Sequence, residues 1–502
     1  MKPRVYGEET EYGGVFISDK NISHPLAGSM LENLLNQAER KSDFLKNGAR
    51  MYKDMHHIEY ATPECLSPID VVIYSKAGER ILNSIAKENT TAQEAITLNP
   101  VNGRVRFFRH NVDGDGSGSN KLNTFGCHEN YSYDPQKITL EEIRKDDLSG
   151  PDITPVDPVH LTALLLIYQH ILPFLITRFM WTGSGNLTTQ NGKKVYQLSQ
   201  RIPHLNELST SDTTSSRGVF NLRNEPHSSV VGRLHLICGD ANMSEYQTYL
   251  KYGVTGIVLG MIEDGYKFDN LHFKEELRVL YDMNSTMNFH KRYEMAEGEP
   301  ASPFDIQRAY LDCARIWATA HKDPEIDDVI SLWEETLTML EDGDPALAKR
   351  LDWVAKRKLI FKKFANPNRK RGELQQINLQ YHDINPEKSL YYLLVNNGLM
   401  DTFLPQEDIL HATDHAPPGS RAQTRQNLLE HFAACNRAGL RIDVKAIVWD
   451  KIVYEFFSPS GASYSGIIHL PSPYDTSQES IVQINASIRD FLRMYPFTMN
   501  KP

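Results

Sequence analysis

Glu8, Glu9 and Glu11 crowd into the stretch "VYGEETEYGG" at 5–14, with tyrosines on either side. β-Branched and aromatic neighbours predict a strand. The two-residue period then puts Glu9 and Glu11 on one face with Val5 and Gly7, and Glu8 on the other with Tyr6, Thr10 and Tyr12. Two carboxylates one strand repeat apart repel each other unless water or a cation lies between them. Either this is an edge strand kept soluble by its charge, or Glu9 and Glu11 hold a hard cation such as Mg²⁺, which takes clustered carboxylate oxygens.

Further polar groups fall on further predicted strands. Tyr52 and Asp54 share a face in "NGARMYKDMHHIEYATPE", Glu59 follows in an expected loop, "HHIEY", and Glu64 lies a little beyond. "CHENY" supplies His128, Glu129 and Asn130, while in "RLHLIC" Arg233 and His235 alternate with Leu234, Leu236 and Cys238. Singly, each histidine reads as a satisfied structural residue. Together, acids and imidazoles on several strands of one sheet predict a metal-lined concave surface, with Arg223 of "NLRNEP" available to meet phosphate.

Familiar signatures fail. "GSGNLTTQNGKK" has Leu187 and Lys194 where a phosphate loop needs Gly and Ser or Thr. "DGDGSG", from Asp113, reaches Thr124 where a calcium loop needs a bidentate Glu, and reads as a turn. Neither GxSxG nor HExxH occurs.

The elements that must position these groups fit an ordinary globular chain of 502 residues, 40% hydrophobic and 24% charged. Lys and Arg number 54 against 64 Asp and Glu, a net charge of −10 that argues against nucleic acid as the partner. Five scattered cysteines without a CxxC indicate neither a disulfide framework nor a zinc knuckle, and a reducing cytoplasm is expected. The apolar run "LTALLLIYQHILPFLI" is interrupted by Gln169, His170 and Pro173 and predicts a buried core helix rather than a membrane span. Helices are expected near 29–39 and 68–86, strands at "VRFFRHNV", "KVYQLSQR" and "GVFNLRNE", and a mainly helical stretch to about 395. Asp344 and Pro345 open a single predicted helix to 365, carrying Lys349, Lys356, Lys362 and Lys363 on a solvated or partner-docking face. "DHAPPGS" at 414–420 marks a boundary, giving domains 1–413 and 414–502.

The ordered series "GEETEYG", "NGARMYKD…EYATPEC", "FGCHENY", "LSQR", "RNEPH", "RLHLICGDANMSE" and "DWVAKRKL" resembles the Pup ligase and Pup deamidase (depupylase) family, relatives of glutamine synthetase. The resemblance implies an α/β (α+β) fold: a glutamine-synthetase-like large domain whose curved, mainly antiparallel sheet cradles ATP and Mg²⁺, and a small C-terminal domain. It implies that Glu9, Glu11, Tyr52, Glu59, His128 and His235 surround metal and that Asp54 is the catalytic aspartate. Asn130 and Arg223 would contact the nucleotide, and Trp449 would pack on adenine.

The family holds two opposed activities. "KAGERIL", "NVDGDG" and "TYLKYG" resemble the deamidase, "EETEYG", "GCHENY", "NMSE" and "DWVAKRKL" the ligase. The deamidase carries a long insertion where this chain has only the compact interval 13–46, so the ligase is expected. That reading implies ATP-dependent joining of the C-terminal glutamate of a small Pup-type modifier to lysines of target proteins, by a cytoplasmic monomer with no nucleic-acid or membrane partner. The alternatives are a depupylase on the same fold and, from a different class, a noncatalytic Pup-binding protein.

Overall fold

The computed structural model describes residues 3–18, 23–26, 28–38, 40–88, 103–113, 123–138, 158–213, 215–364, 366, 372–457, 462–475 and 486. A nine-stranded sheet forms the centre. Its main strands are β1 (Tyr6–Ser18), β2 (Arg50–Asp54), β3 (His57–Ala61), β4 (Gly103–Phe108), β5 (Cys127–Tyr133) and β6 (Gly232–Leu236). They run β6-β5-β1-β3-β2, every pairing antiparallel, and β4 joins the far half of β1 from Gly13 onward. This is the mainly antiparallel sheet expected.

Alternation sorts β1 as predicted. Glu8, Thr10, Tyr12 and Phe16 are buried, and against their side of the sheet lie α1 (Pro68–Glu88), α2 (Pro158–Thr177) and α3 (Glu245–Glu263). A Cβ on Gly78 would stand 2.6 Å from the Tyr60 ring, so glycine is what lets α1 approach β3. Helix α2 contains the whole of the apolar run. By length and composition Val159–Thr177 could cross a membrane. Here Ile167, Ile171, Phe174 and Leu175 are fully enclosed in the main apolar core, each contributing roughly 1.5–3 kcal/mol by leaving water.

Charge is buried behind the sheet in matched groups. Glu8 pairs with Arg109 and lies 3.8 Å from Lys251, and Glu129 meets Arg178 at 2.6 Å. Glu79 joins Arg109 at 3.1 Å and Lys76 at 3.2 Å. These contacts repay part of the desolvation that burying each ion alone would cost.

The single basic helix expected over 345–365 is two elements. A 3₁₀ turn covers Pro345–Lys349, and α4 (Asp352–Phe364) begins after a break. The break exists because Asp352 turns inward, accepting from the backbone N–H of Met243 at 2.8 Å and from Tyr381 Oη at 2.8 Å. Lys356 is consequently not on the solvated face: it is fully buried, its Nζ 2.8 Å from His382 Nε2. The calcium-like loop beyond Asp113 and the linker before α2 lie outside the described residues.

Beyond 420, helix α5 (Arg421–Arg437) backs an antiparallel sheet of β7 (Arg441–Val448), β8 (Lys451–Phe457) and β9 (Ser463–His469). This layer has its own apolar cluster, including Leu428, Phe432, Ile452 and Phe456, into which Phe44 reaches from the large sheet. Glu64, just past β3, clamps the two parts: Arg421 and Arg425 grip it at 2.9 and 2.7 Å. Burial opposes its charge, but the two guanidinium groups win and bring the carboxyl down to about 2.

Candidate active site

Strand register assembles the polar face. Glu9 stands opposite His128, and Glu11 opposite Glu59. Tyr52 is likewise opposite Glu59, and His235 opposite Asn130. Directly opposed residues of an antiparallel pair project to the same side, so one surface, away from the helices, collects groups from five strands. Two clusters result. Ligand atoms of Glu9, His128 and His235 lie within 4.8 Å of one another, as do those of Glu11, Asp54 and Glu59.

The first cluster is compensated by the chain itself. Arg233 and Asn130 both donate to Glu9 Oε1 at 3.1 Å, and His128 Nδ1 lies 3.4 Å from Oε2. Arg233 Nε also donates to Asn130 Oδ1 at 2.6 Å, and the guanidinium touches His235 Nδ1. Burial disfavours charge on Glu9, yet Arg233 and the two histidines outweigh it and hold the carboxyl well below the usual range. Burial and then Arg233 keep His235 well below an ordinary imidazole, in the neutral form that ligates.

In the second cluster three carboxylates face one another. Glu11 Oε1 accepts from the Gly126 N–H at 2.7 Å, and Oε2 faces His57 Nδ1 at 3.3 Å. Glu59 accepts from Tyr52 Oη at 2.5 Å. Burial and then Glu9 push Glu59 far up, while burial and then Glu11 raise Asp54. Repulsion of this kind is relieved by a hard divalent cation, around which these oxygens, already within 4.8 Å of one another, would close to roughly 3–4 Å. The all-oxygen set fits Mg²⁺. The Glu9 set, with one carboxylate and two imidazoles, also suits Mn²⁺.

Glu9, Asn130 and Arg233 line a cleft of about 110 Å³ that reaches His227, Arg421 and Trp449. The Trp449 ring meets Phe44 edge-on at 5.1 Å, with the Arg425 guanidinium 5.4 Å from its centroid. The clusters and cleft thus bring together Glu9, Glu11, Asp54, Glu59, His128, His235, Asn130 and Trp449, with Tyr52 hydrogen-bonded beside them. Arg223 joins neither the clusters nor the cleft lining, although its charge reaches His235. It sits half-exposed on the loop after strand Gly218–Asn221, paired with Glu225 at 2.8 Å. The guanidinium inside the cleft belongs to Arg233, whose signal was its alternation with His235. His57 carried no pattern, and its role depends on a turn at Met55 that brings it back beside Glu11.

Residues 4–453 match the family described as "Pup-ligase protein". The Pup–protein ligase of Kribbella flavida is 32% identical over 86% of this chain and 90% of its own length. The Pup deamidase/depupylase of Mycolicibacterium smegmatis is 31% identical over 82% of this chain and 75% of its own length. Two solved structures of the Pup ligase PafA superpose at 27% identity. The complex with Pup covers 99% of this chain and 96% of PafA with a TM-score of 0.76. The complex with ADP covers 92% and 93% with a TM-score of 0.72. The nearly complete coverage, together with a sheet that presents its acids and imidazoles on one face, leads to one conclusion: this chain belongs to the Pup-ligase protein family.

Proposed function

We propose that this chain is an ATP-dependent ligase that joins the C-terminal glutamate side chain of a Pup-type modifier to lysines of target proteins. The observation that carries the reading is the carboxylate cluster of Glu11, Asp54 and Glu59 beside a cleft reaching Trp449. The nucleotide's adenine would sit toward Trp449, its phosphates toward Arg233 and Asn130, and Arg223 would add charge from the loop. Glu9, Glu11, Glu59, His128 and His235, with Tyr52 holding Glu59, would retain Mg²⁺, which when bound neutralises phosphate oxygens and favours in-line transfer.

The modifier's γ-carboxylate attacks the γ-phosphorus of ATP, giving a γ-glutamyl phosphate and ADP. The target lysine's amine then attacks the acyl carbon, the C–N bond forms, and phosphate leaves. Asp54 takes the amine's proton, and burial beside Glu11 raises its basicity for that task.

Direction is supported by length. The alignment spans 90% of the Kribbella ligase but 75% of the Mycolicibacterium depupylase. In this chain β1 continues to Ser18, and helix Gly28–Gln37 with short strands occupies most of the interval from there to Leu45. A cytoplasmic monomer divided near 413 completes the reading.

The test is incubation with Pup ending in Glu or in Gln, ATP, Mg²⁺ and a lysine-bearing protein. Conjugation of the Glu form with ADP release is expected. Deamidation of the Gln form, or cleavage of a preformed conjugate without conjugation, would assign the chain to the depupylase instead.

A further inference from the structure

Both oxygens of Glu11 are held by groups that hang from one two-residue segment. The Gly126 N–H binds Oε1 at 2.7 Å, and the Glu11 N–H donates back to the Gly126 carbonyl at 3.1 Å. Oε2 faces His57, whose ring stacks on Phe125 with centroids 4.2 Å apart. A Cβ at 126 would fall 2.3 Å from His128 Nε2 and 2.9 Å from Glu11 Oε1, so glycine there is what lets both side chains keep these positions. Where Phe125 and Gly126 sit therefore decides where the Glu11 carboxylate points.

That segment is pinned through the Phe125 carbonyl. Asn111 Nδ2 and Arg201 Nη1 both donate to it at 3.1 Å. Arg201 Nη1 also donates to Thr124 Oγ1, and Nη2 to the Ile237 carbonyl just past β6, each at 2.8 Å. One guanidinium thus ties the loop entering β5 to the end of β6.

Arg201 is unusual among the buried arginines. Arg109, Arg178, Arg421 and Arg425 are as enclosed, and each meets a carboxylate. The Arg201 side chain is 1% exposed and donates only to neutral oxygens. Asp240 is close, but it accepts from the Arg201 backbone N–H at 3.1 Å. A buried cation without an ion partner is costly. What the position offers in return is a fixed positive charge behind an acidic cluster: burial and then Arg217 disfavour that charge, and Glu11 leads the anions that favour it.

We propose that Arg201, with Asn111, is a positioning residue for Glu11, acting through Phe125 and Gly126 to aim that carboxylate at the cation shared with Glu59. This rests on the metal-binding reading of Glu11. It assigns work to residues that the two clusters do not contain.

The test is Mn²⁺ binding without nucleotide or modifier, followed by the electron paramagnetic resonance of free Mn²⁺, with thermal melting beside it. Wild type should titrate two ions. Arg201→Met should weaken one ion about tenfold or more, leave the ion at Glu9, His128 and His235 unchanged, and resist rescue by Arg201→Lys, whose single ammonium cannot span three oxygens. If Arg201→Met does not fold, Phe125→Leu decides: it keeps an apolar side chain, removes the stack under His57, and should weaken the same ion severalfold. Normal binding of both ions in a folded Arg201→Met, or in Phe125→Leu, overturns the proposal, and a lowered melting temperature with unchanged binding makes Arg201 purely structural. Glu11→Gln separates the two readings. If it binds both ions normally, Glu11 is not a ligand and the underlying reading falls. If it loses one ion while the Arg201 and Phe125 variants lose none, only the positioning role falls.

Discussion

Glu8 and Glu9 are adjacent in the chain, yet they stand on opposite faces of β1 and have opposite tasks. Glu8 faces the helices, 2% exposed, between Arg109 and Lys251, with Ser75 donating to it at 2.7 Å. Burial disfavours its charge, but Arg109 and Lys251 keep the carboxyl low. Glu9 faces the cleft, and beside it Glu59 and Asp54 are pushed upward by burial and by neighbouring carboxylates. One face pairs its ions and is finished. The other leaves the carboxylates of Glu11, Asp54 and Glu59 facing one another, a repulsion that the proposed cation would relieve. Identical residue types therefore serve stability or chemistry according to which side of the pleat they occupy.

The sharpest way to break this comparison is at Asp54. Near pH 7 only about one free lysine in 2,500 is neutral, given a pKa of about 10.4. A positioned carboxylate that accepts the proton as the bond forms is worth roughly 10² to 10⁴ in rate. Asp54→Asn should keep the fold and bind ATP, yet lose at least about a hundredfold in conjugation to lysine. Hydroxylamine, already neutral at that pH, should suffer less. Equal losses with both nucleophiles would place Asp54 in cation binding or phosphoryl transfer rather than base catalysis.

Neighbouring substitutions separate the faces directly. Glu8→Gln leaves Arg109 and Lys251 short of an anion in the core and should cost about 3–5 kcal/mol by denaturant unfolding. Glu9→Gln should cost less stability than Glu8→Gln, because the Glu9 side chain and its partners are partly solvated, while Mg·ATP affinity by calorimetry falls about tenfold or more. A Glu9→Gln protein that unfolds easily but binds nucleotide normally would erase the distinction.

Much of the cleft face could be read in advance because it rests on period-two alternation. Glu9, Glu11, Tyr52 and Asp54 needed only a strand assignment, and the order of motifs supplied their partners. Arg233 was visible beside His235, but its choice over Arg223 was not: both are arginines near a strand, and only the register of β6 against β5 brings one of them to Glu9. Arg201 was hidden more deeply. Its partners are backbone carbonyls at 125 and 237 and one hydroxyl, and no residue pattern announces a carbonyl. The basic stretch 345–365 misled because lysine count is a poor guide to exposure. Asp352 had to turn inward for Lys356 to be buried, and that depends on contacts with Met243 and Tyr381 far away in sequence.

Lys356 offers the smallest effect and the finest probe of the rule that the helix side neutralises its ions in pairs. It is enclosed in that layer, yet its closest partner is the neutral ring of His382 rather than a carboxylate. Burial lowers it to about 7, with Asp352 and Asp240 acting the other way. An unfolded chain keeps this lysine protonated up to about pH 10.4. Between about 7 and 10.4 the unfolded state therefore binds the extra proton, so stability should rise with pH across that window; below 7 both states are charged and the contribution levels off at its least favourable. Lys356→Met, similar in size and chargeless, should remove this rise. Unfolding free energies measured at pH 7 and pH 9 should show wild type gaining at least about 1 kcal/mol on the variant. Parallel pH profiles would mean that Lys356 keeps its proton in the fold, and that the helix side holds a compensating anion for it after all.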